Sequence, residues 1–438
     1  MHLDTRNVYR WIIEALAQAV AQFRIAAVIP CTHGSSAALV ANRAEPDADD
    51  HDAGGLALPV MGYEADIPDD VAAEYARIAP PFDEVYAPTN PAGLTLARQL
   101  YWQQTRFPDA FARTSVIMPY PQYWGWRLTG VNAADVSSLA AQTHLWDPVN
   151  RRLSSLVHAR GWDRLMAPVR PAWDVVGVLR EEIAHRVGAA VPIPVLCGIH
   201  DSSANCLRYL CLPDRDWTLL STGTWLITFN PGQPLDRLDP RRDTVSNTDV
   251  DGNPIACSRF MIGREFELVA GPDGLTLETD SADWHSVAAD VIGRGIVALP
   301  SFTDSGGPVP GSGGAGRITG GDGLQPAERR SLASLYCALM TCESLTAVGA
   351  DEAAAPTLII DGPFATDPLF PGLLAALIPN ATLRVSEERD GTVVGSALLW
   401  DRHLGRYPHP PALRTVAPLD LPGLAAYAAR WRSLAGLI

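Results

Sequence analysis

Between Val195 and Thr228 the chain reads V-L-C-G-I-H-D-S-S-A-N-C-L-R-Y-L, passes a polar break, and resumes as W-T-L-L-S-T-G-T-W-L-I-T. An apolar, strand-like run ends at Asp201. Small residues at helical spacing follow it, and two β-rich runs then hinge on Ser221-Thr222-Gly223-Thr224. Strand, acid, helix, strand, turn and strand in this order demand layered α/β packing. In open α/β sheets ligands gather beyond the carboxyl ends of the strands, which is where Asp201 falls.

The same alternation recurs on both sides of this block. Residues 4–23 begin with Asp4-Thr5 as an N-cap and carry Val8, Trp11, Ile12, Leu16 and Val20 at helical spacing. Ile25–Pro30 reads as a strand, Cys31–Ser36 as a turn, and Ala37–Ala41 as a returning strand. Residues 95–173 read as mainly helical, and Val191–Ile199 as the strand leading to Asp201. After a polar break at 211–216 come strands over 217–229, a loop-rich insertion, and a strand at Gly295–Pro300. A Gly-rich segment at 306–323 and a long helix over 327–348 follow. Strand Thr357–Ile360, turn Asp361-Gly362-Pro363, a helix to about Leu377, strand Thr382–Val385 and a helix from Thr392 close the pattern. With 438 residues the chain exceeds one ordinary core. The break divides it into two domains, 1–213 and 214–438, which would face each other across a ligand cleft.

Charge and composition narrow the chemistry. The net charge is −15, and all 34 Lys-or-Arg positions are Arg, since the sequence contains no Lys. Nucleic acid is therefore a poor partner, and a Walker A loop, a Schiff-base Lys and a Ser-Lys dyad are excluded. The seven Cys form no C-x-x-C pair and sit mostly in apolar runs, as reduced core thiols do. No uncharged apolar stretch reaches membrane-spanning length. Glu14 and Arg24 interrupt any signal-peptide pattern. A cytoplasmic location is expected, with no membrane partner and no dedicated protein-held metal. A homodimer is compatible with the chain.

Each motif has two readings. Asp201 is a helix cap or a catalytic base. Ser221–Thr224 is a phosphate cradle or a plain hairpin turn. Asp361-Gly362-Pro363 is a nucleotide-facing turn at a helix start or an ordinary βα connection. Thr32-His33-Gly34 touches a polyol or holds a structural His. His200 is packed beside Asp201. The acidic cluster Glu45–Asp52 reads as a solvated hairpin loop. Gly311–Gly316 matches G-x-G-x-x-G, but no helix follows, so it reads as a mobile loop and not a dinucleotide fingerprint.

Taken in order, these pieces resemble the FGGY carbohydrate kinase family over almost the whole chain. T-H-G at 32–34 is similar to its sugar-side turn, and P-Y-P-Q-Y-W-G-W-R-L-T-G at 119–130 to its run ending in Leu-Thr-Gly. G-I-H-D-S at 198–202 is similar to its catalytic Gly-x-x-Asp, and S-T-G-T-W at 221–225 to its second phosphate motif. D-G-P-F at 361–364, followed by E-E-R-D-G-T-V-V-G-S-A at 387–397, resembles its adenosine motif and closing helix. The S-T-G-T-W text is nearest the rhamnulokinase and fuculokinase branches. Met1–Thr5 is similar to the segment after the family's opening acidic-x-Gly-Thr phosphate loop, so that loop is expected to be missing from this sequence, either through a miscalled or truncated start or through its loss.

The resemblance implies a two-lobed actin-like (ribonuclease H-like) α/β fold. It implies transfer of the ATP γ-phosphate to a hydroxyl of a ketose or polyol, with Mg²⁺. Asp201 would be the general base. Ser221, Thr222, Gly223, Thr224, Asp361, Gly362 and Phe364 would hold the nucleotide, and Thr32, His33, Gly34 and Asp201 the sugar. Two rivals stand beside this expectation. One is a pseudokinase or sugar-binding regulator of the same fold. The other is a hydrolase using a Ser near His33 or His200, against which the chain offers no G-x-S-x-G elbow.

Overall fold

The computed structural model describes residues 2–41, 53–212, 216–278, 280–352, 355–406 and 409–438. The acidic cluster at 45–52 lies outside them. Two compact units emerge. The first comprises Met1–Cys211, Ser246–Pro254 and Thr392–His409, and the second Leu212–Val245, Ile255–Gly391 and Pro410–Ile438. The units are thus not two uninterrupted halves of chain. Thr392–His409 belongs to the first because Gly395, on the helix Gly391–His403, packs against the Ala204 carbonyl. Leu399 from the same helix joins Leu196, Ile199, Ala204 and Leu207 in one apolar cluster.

In the first unit the helix Thr5–Gln22 is capped by Asp4, whose carboxylate accepts the Asn7 N–H at 3.0 Å. The expected strand Ile25–Pro30 is broken. Val28 makes a single parallel bridge to Val195, and regular pairing begins only at Cys31–Thr32, parallel to Ile199–His200. The cause is local. Pro30 has no N–H to donate, and opposite it Gly198 takes φ +93°, where a Cβ would overlap the Pro30 carbonyl.

Ala37–Ala41 forms as expected, but it does not return along Cys31–Thr32. It is the centre of a separate three-stranded sheet between Leu56–Leu58 and Thr114–Pro119. That last strand is an addition to the mainly helical reading of 95–173: T-S-V-I-M-P forms an almost wholly buried β-run between the helices Leu96–Arg106 and Tyr120–Thr129. The Val191–Ile199 strand is likewise split into Pro194–Leu196 and Ile199–His200.

A seven-stranded mixed sheet frames the second unit, in the order Thr244–Thr248, Pro254–Phe260, Leu226–Asn230, Trp217–Thr222, Thr357–Asp361, Thr382–Ser386 and Leu413–Thr415. Trp217–Thr222 pairs antiparallel with Leu226–Asn230 and parallel with Thr357–Asp361, so Ser221 lies opposite Asp361. The helix Pro326–Ala347 begins with Pro at its first turn and a Gln325/Glu328 capping box, and most of its length is buried. Within the Gly-rich segment, Gly311–Gly316 leads into the strand Arg317–Thr319, antiparallel to Val297–Leu299, and not directly into a helix. No helix among the described residues is long and apolar enough to cross a membrane.

Candidate active site

The parallel register Cys31↔Ile199 and Thr32↔His200 brings two motifs together. Both strands end at the same edge. The turn His33–Ser36 leaves one, and the helix Asp201–Leu207 leaves the other. Gly34 is pressed against His200, where a Cβ would stand 3.0 Å from the ring Nε2. The His200 ring is buried, with Nδ1 3.3 Å from Ser203 Oγ and Nε2 3.2 Å from Asp201 Oδ1. The His200 N–H donates to Ser137 Oγ at 3.2 Å, and that hydroxyl donates to the fully buried Asp135 at 2.6 Å. Burial pushes the Asp135 carboxyl up, against the bonds from Ser137 and Ser138.

Asp201 occupies the first helical position, and His200 is the N-cap. Its carboxylate accepts the Ser202 N–H at 2.6 Å and the Ser202 hydroxyl at 3.2 Å. These contacts and the one to His200 all fall on Oδ1, so the helix start and the histidine hold one oxygen while Oδ2 takes none of them. The side chain is 40% exposed, enough to meet a ligand. Nearby, the Cys31 thiol is pushed up to about 11, mainly by burial and further by Asp201 and Asp135, and is no nucleophile at neutral pH. Ser35 and Ser36 donate to the carbonyls of Ala141 and Met61, and Ser203 is buried. These serines near the histidines therefore lack the exposed, base-paired hydroxyl that a hydrolase needs.

His33 Nδ1 lies 2.8 Å from the Gly34 carbonyl oxygen. Its ring sits between Tyr63 (centroids 5.1 Å apart, near-perpendicular) and Tyr120 (5.3 Å, tilted). Thr32 Oγ1 donates to the His33 carbonyl at 3.0 Å, which turns that hydroxyl into the loop.

In the second unit the Thr222 hydroxyl donates to the Asp361 carbonyl at 2.7 Å and accepts the Phe364 N–H at 3.2 Å. It therefore fastens the Ser221–Thr224 turn to the Asp361–Phe364 turn. Gly223 has open space at its Cα, Thr224 is exposed, and the Gly263 N–H donates to the Thr224 carbonyl at 3.1 Å. Phe364 stands apart from its expected role, because its ring packs edge-on against Phe266 and Phe370. The Asp361–Phe364 turn borders a cavity of about 650 Å³, lined by Gly362, Pro363, Ser386, Glu388, Arg389 and Arg414. That is within the usual size of a small-molecule pocket. Sequence reasoning passes over Tyr63, Ser386, Arg389 and Arg414. Tyr120 and Arg389 fall inside recognisable motifs without standing out in them.

Gly362 shows why this turn needs glycine. Its φ is +94° and ψ −165°, a conformation open essentially to Gly alone, and a Cβ would overlap the Thr222 carbonyl. Gly362→Ala is expected to cost about 1–3 kcal/mol in backbone strain alone and to raise KM for ATP at least about tenfold, a change of ~1.4 kcal/mol. Nucleotide titration with a parallel thermal melt checks both.

Two units, one ending a strand pair at an exposed acid and the other joining a β-hairpin turn to a cavity, define the actin-like (ribonuclease H-like) ATPase class of α/β proteins. The N-terminal domain model of the FGGY family of carbohydrate kinases matches residues 91–207, and the FGGY C-terminal domain model matches 214–408. A carbohydrate kinase from Novosphingobium aromaticivorans superposes with a TM-score of 0.85 and 31% identity, over 99% of this chain and 91% of that one. A xylulose kinase from Lactobacillus acidophilus shares the fold at a TM-score of 0.77 and 15% identity, over 100% of this chain and 88% of that one. The L-xylulose/3-keto-L-gulonate kinase of Escherichia coli is 23% identical over 211 residues, 46% of this chain and 39% of that protein's length. The chain belongs to the FGGY family of carbohydrate kinases.

Proposed function

We propose that the chain transfers the γ-phosphoryl group of ATP to a hydroxyl of a ketose or polyol, with Asp201 as general base. The carrying observation is the Asp201 carboxylate, fixed through Oδ1 beside the Thr32–Gly34 turn with Oδ2 uncommitted. A sugar hydroxyl within hydrogen-bond reach of Oδ2 would pass its proton there as the oxygen attacks, an effect typically worth about 10²–10⁴-fold. His33, Gly34 and the backbone of Thr32 would orient the sugar.

Bound ATP with Mg²⁺ would supply the phosphoryl group and neutralise its charge. The chain's contribution to nucleotide binding is the open backbone of Gly223 and Thr224, with Ser221 beside them, and the cavity bordered by Gly362. Asp361 and Thr222 would act by holding the two turns together. No group of three or more His, Cys, Asp or Glu is placed to hold a metal ion among the described residues, so Mg²⁺ would be held chiefly through nucleotide phosphates and water.

The S-T-G-T-W text favours the rhamnulokinase and fuculokinase branches, while the similar proteins include a xylulose kinase and an L-xylulose/3-keto-L-gulonate kinase. The test is a coupled ADP-release assay with L-rhamnulose, L-fuculose, D- and L-xylulose and xylitol. Sugar-dependent ADP release is expected with at least one. ATP binding without turnover on any sugar would favour the regulator reading instead.

A further inference from the structure

The turn Gly62–Ala65 carries no recognisable motif, yet it is built against the Thr32–Gly34 turn. Ser36 Oγ donates to the Met61 carbonyl at 2.9 Å, and the Ala65 N–H closes onto the Gly62 carbonyl at 3.0 Å. Gly93 lies so near that a Cβ there would stand 2.9 and 3.1 Å from the carbonyl oxygens of Gly62 and Tyr63. Tyr63 is thereby fixed with its half-buried ring at 71° to His33, whose other neighbour is Tyr120.

On the backbone side of this corner the Arg98 guanidinium is taken up by the Asn90 and Ala92 carbonyls, whereas the charges acting on the Tyr63 hydroxyl are acidic. Burial, then Glu64, then Asp201 push the Tyr63 hydroxyl up. The charges acting on Cys31 are Asp201 and Asp135. Among the described residues no guanidinium acts on the Tyr63 hydroxyl or the Cys31 thiol, and the chain has no Lys.

We propose that Tyr63 is a specificity-determining residue of the acceptor site, and that this site takes uncharged ketoses and polyols and rejects sugar acids. The proposal rests on the reading that Asp201 faces the acceptor hydroxyl. Tyr63 offers a ring for the C–H face of a sugar and a hydroxyl for one of its oxygens. A carboxylate-bearing acceptor would instead need a fork of Arg donors or an ammonium to replace its water. Here it would meet further carboxylates, and an anion buried without a counter-charge is strongly disfavoured.

The experiment measures binding by calorimetry on the full chain without ATP, using D- and L-xylulose, L-rhamnulose, L-fuculose and xylitol against xylonate and D-gluconate. The best neutral probe is expected to bind at least about tenfold more tightly than either acid, the scale of discrimination one unsuitable group confers. Tyr63→Ala is expected to weaken that neutral probe about tenfold or more and leave ATP affinity unchanged, and Tyr63→Phe to recover the ring's share. Circular dichroism verifies the fold of both variants. An acid binding as tightly as the neutral probes, no neutral probe binding, or an unchanged sugar Kd in Tyr63→Ala overturns the proposal. If the neutral preference and the Tyr63 effect appear but ATP yields no ADP, the specificity assignment stands and the kinase reading falls.

Discussion

Asp201→Ala is expected to lower kcat for sugar phosphorylation by about 10²–10⁴-fold while sugar and ATP still bind. The expectation follows from how the carboxylate is held. Oδ1 takes the Ser202 N–H, the Ser202 hydroxyl and the His200 contact, so orientation is set by one oxygen and chemistry is left to the other. Asp201→Asn sharpens the test. An amide oxygen in place of Oδ1 keeps the Ser202 bonds, but the amide nitrogen in place of Oδ2 is a donor that cannot take a proton. Asn should therefore be as inactive as Ala yet bind sugar more like the native chain. Single-turnover phosphorylation with a stability control decides it. Near-native turnover in either variant removes Asp201 from the role of base. The largest remaining share of catalysis would come from alignment and charge neutralisation at the phosphoryl group, which this substitution leaves in place.

What the sequence reveals depends on the range of the cause. The helix Thr5–Gln22, the strand Ala37–Ala41 and the helix Pro326–Ala347 are legible because periodicity and caps act within a few residues. The break at Pro30 is not, because half of its cause is Gly198, far along the chain. Thr114–Pro119 is a single buried strand inside helical text, and a short apolar run does not announce its type. Thr392–His409 joins the first unit through packing such as that of Gly395 on Ala204, which leaves no local mark.

The site divides in the same way. Asp201 and Thr32–Gly34 are legible as motif residues, and the register Thr32↔His200 explains why both sit at one strand edge. Tyr63 has no motif, and its place comes from Ser36 gripping Met61. Thr222 and Phe364 have the residue types that nucleotide contacts use, but residue type does not say that the hydroxyl bridges two turns or that the ring enters an aromatic cluster. Glu265 and Glu267 look alike in the text R-E-F-E. One is buried, and the other is an exposed partner of Arg264 at 3.0 Å.

Glu265 is where the largest loss of stability is expected. Its carboxylate, 1% exposed, accepts the Phe302 N–H at 3.0 Å, the Thr303 N–H at 2.9 Å, the Thr303 hydroxyl at 2.7 Å and the Tyr336 hydroxyl at 2.7 Å. Burial first, and then Glu265 itself, push the Tyr336 hydroxyl well above its ordinary range, so it stays a donor. Glu265→Ala leaves these donors facing a void, which costs about 3–5 kcal/mol by the usual penalty for stripping a buried hydrogen-bonded charge. For a unit of this size that is a melting shift on the order of 10 °C. Tyr336→Phe removes one donor and keeps the perpendicular packing on Phe302, and should cost only about 1–2 kcal/mol. Glu265→Gln should fall between, because one amide end opposes donors with a donor. Urea and thermal melts on the three variants give the order, and equal losses in Glu265→Ala and Tyr336→Phe would refute it. A second readout follows from position. Glu265 lies one turn into the helix whose Gly263 N–H holds the Thr224 carbonyl, and it also grips Phe302 and Thr303, just ahead of the Gly-rich segment. Loosening that grip in a variant still folded at the assay temperature should raise KM for ATP more than KM for the sugar, because all four of those hydrogen bonds belong to the unit that carries the phosphate turn.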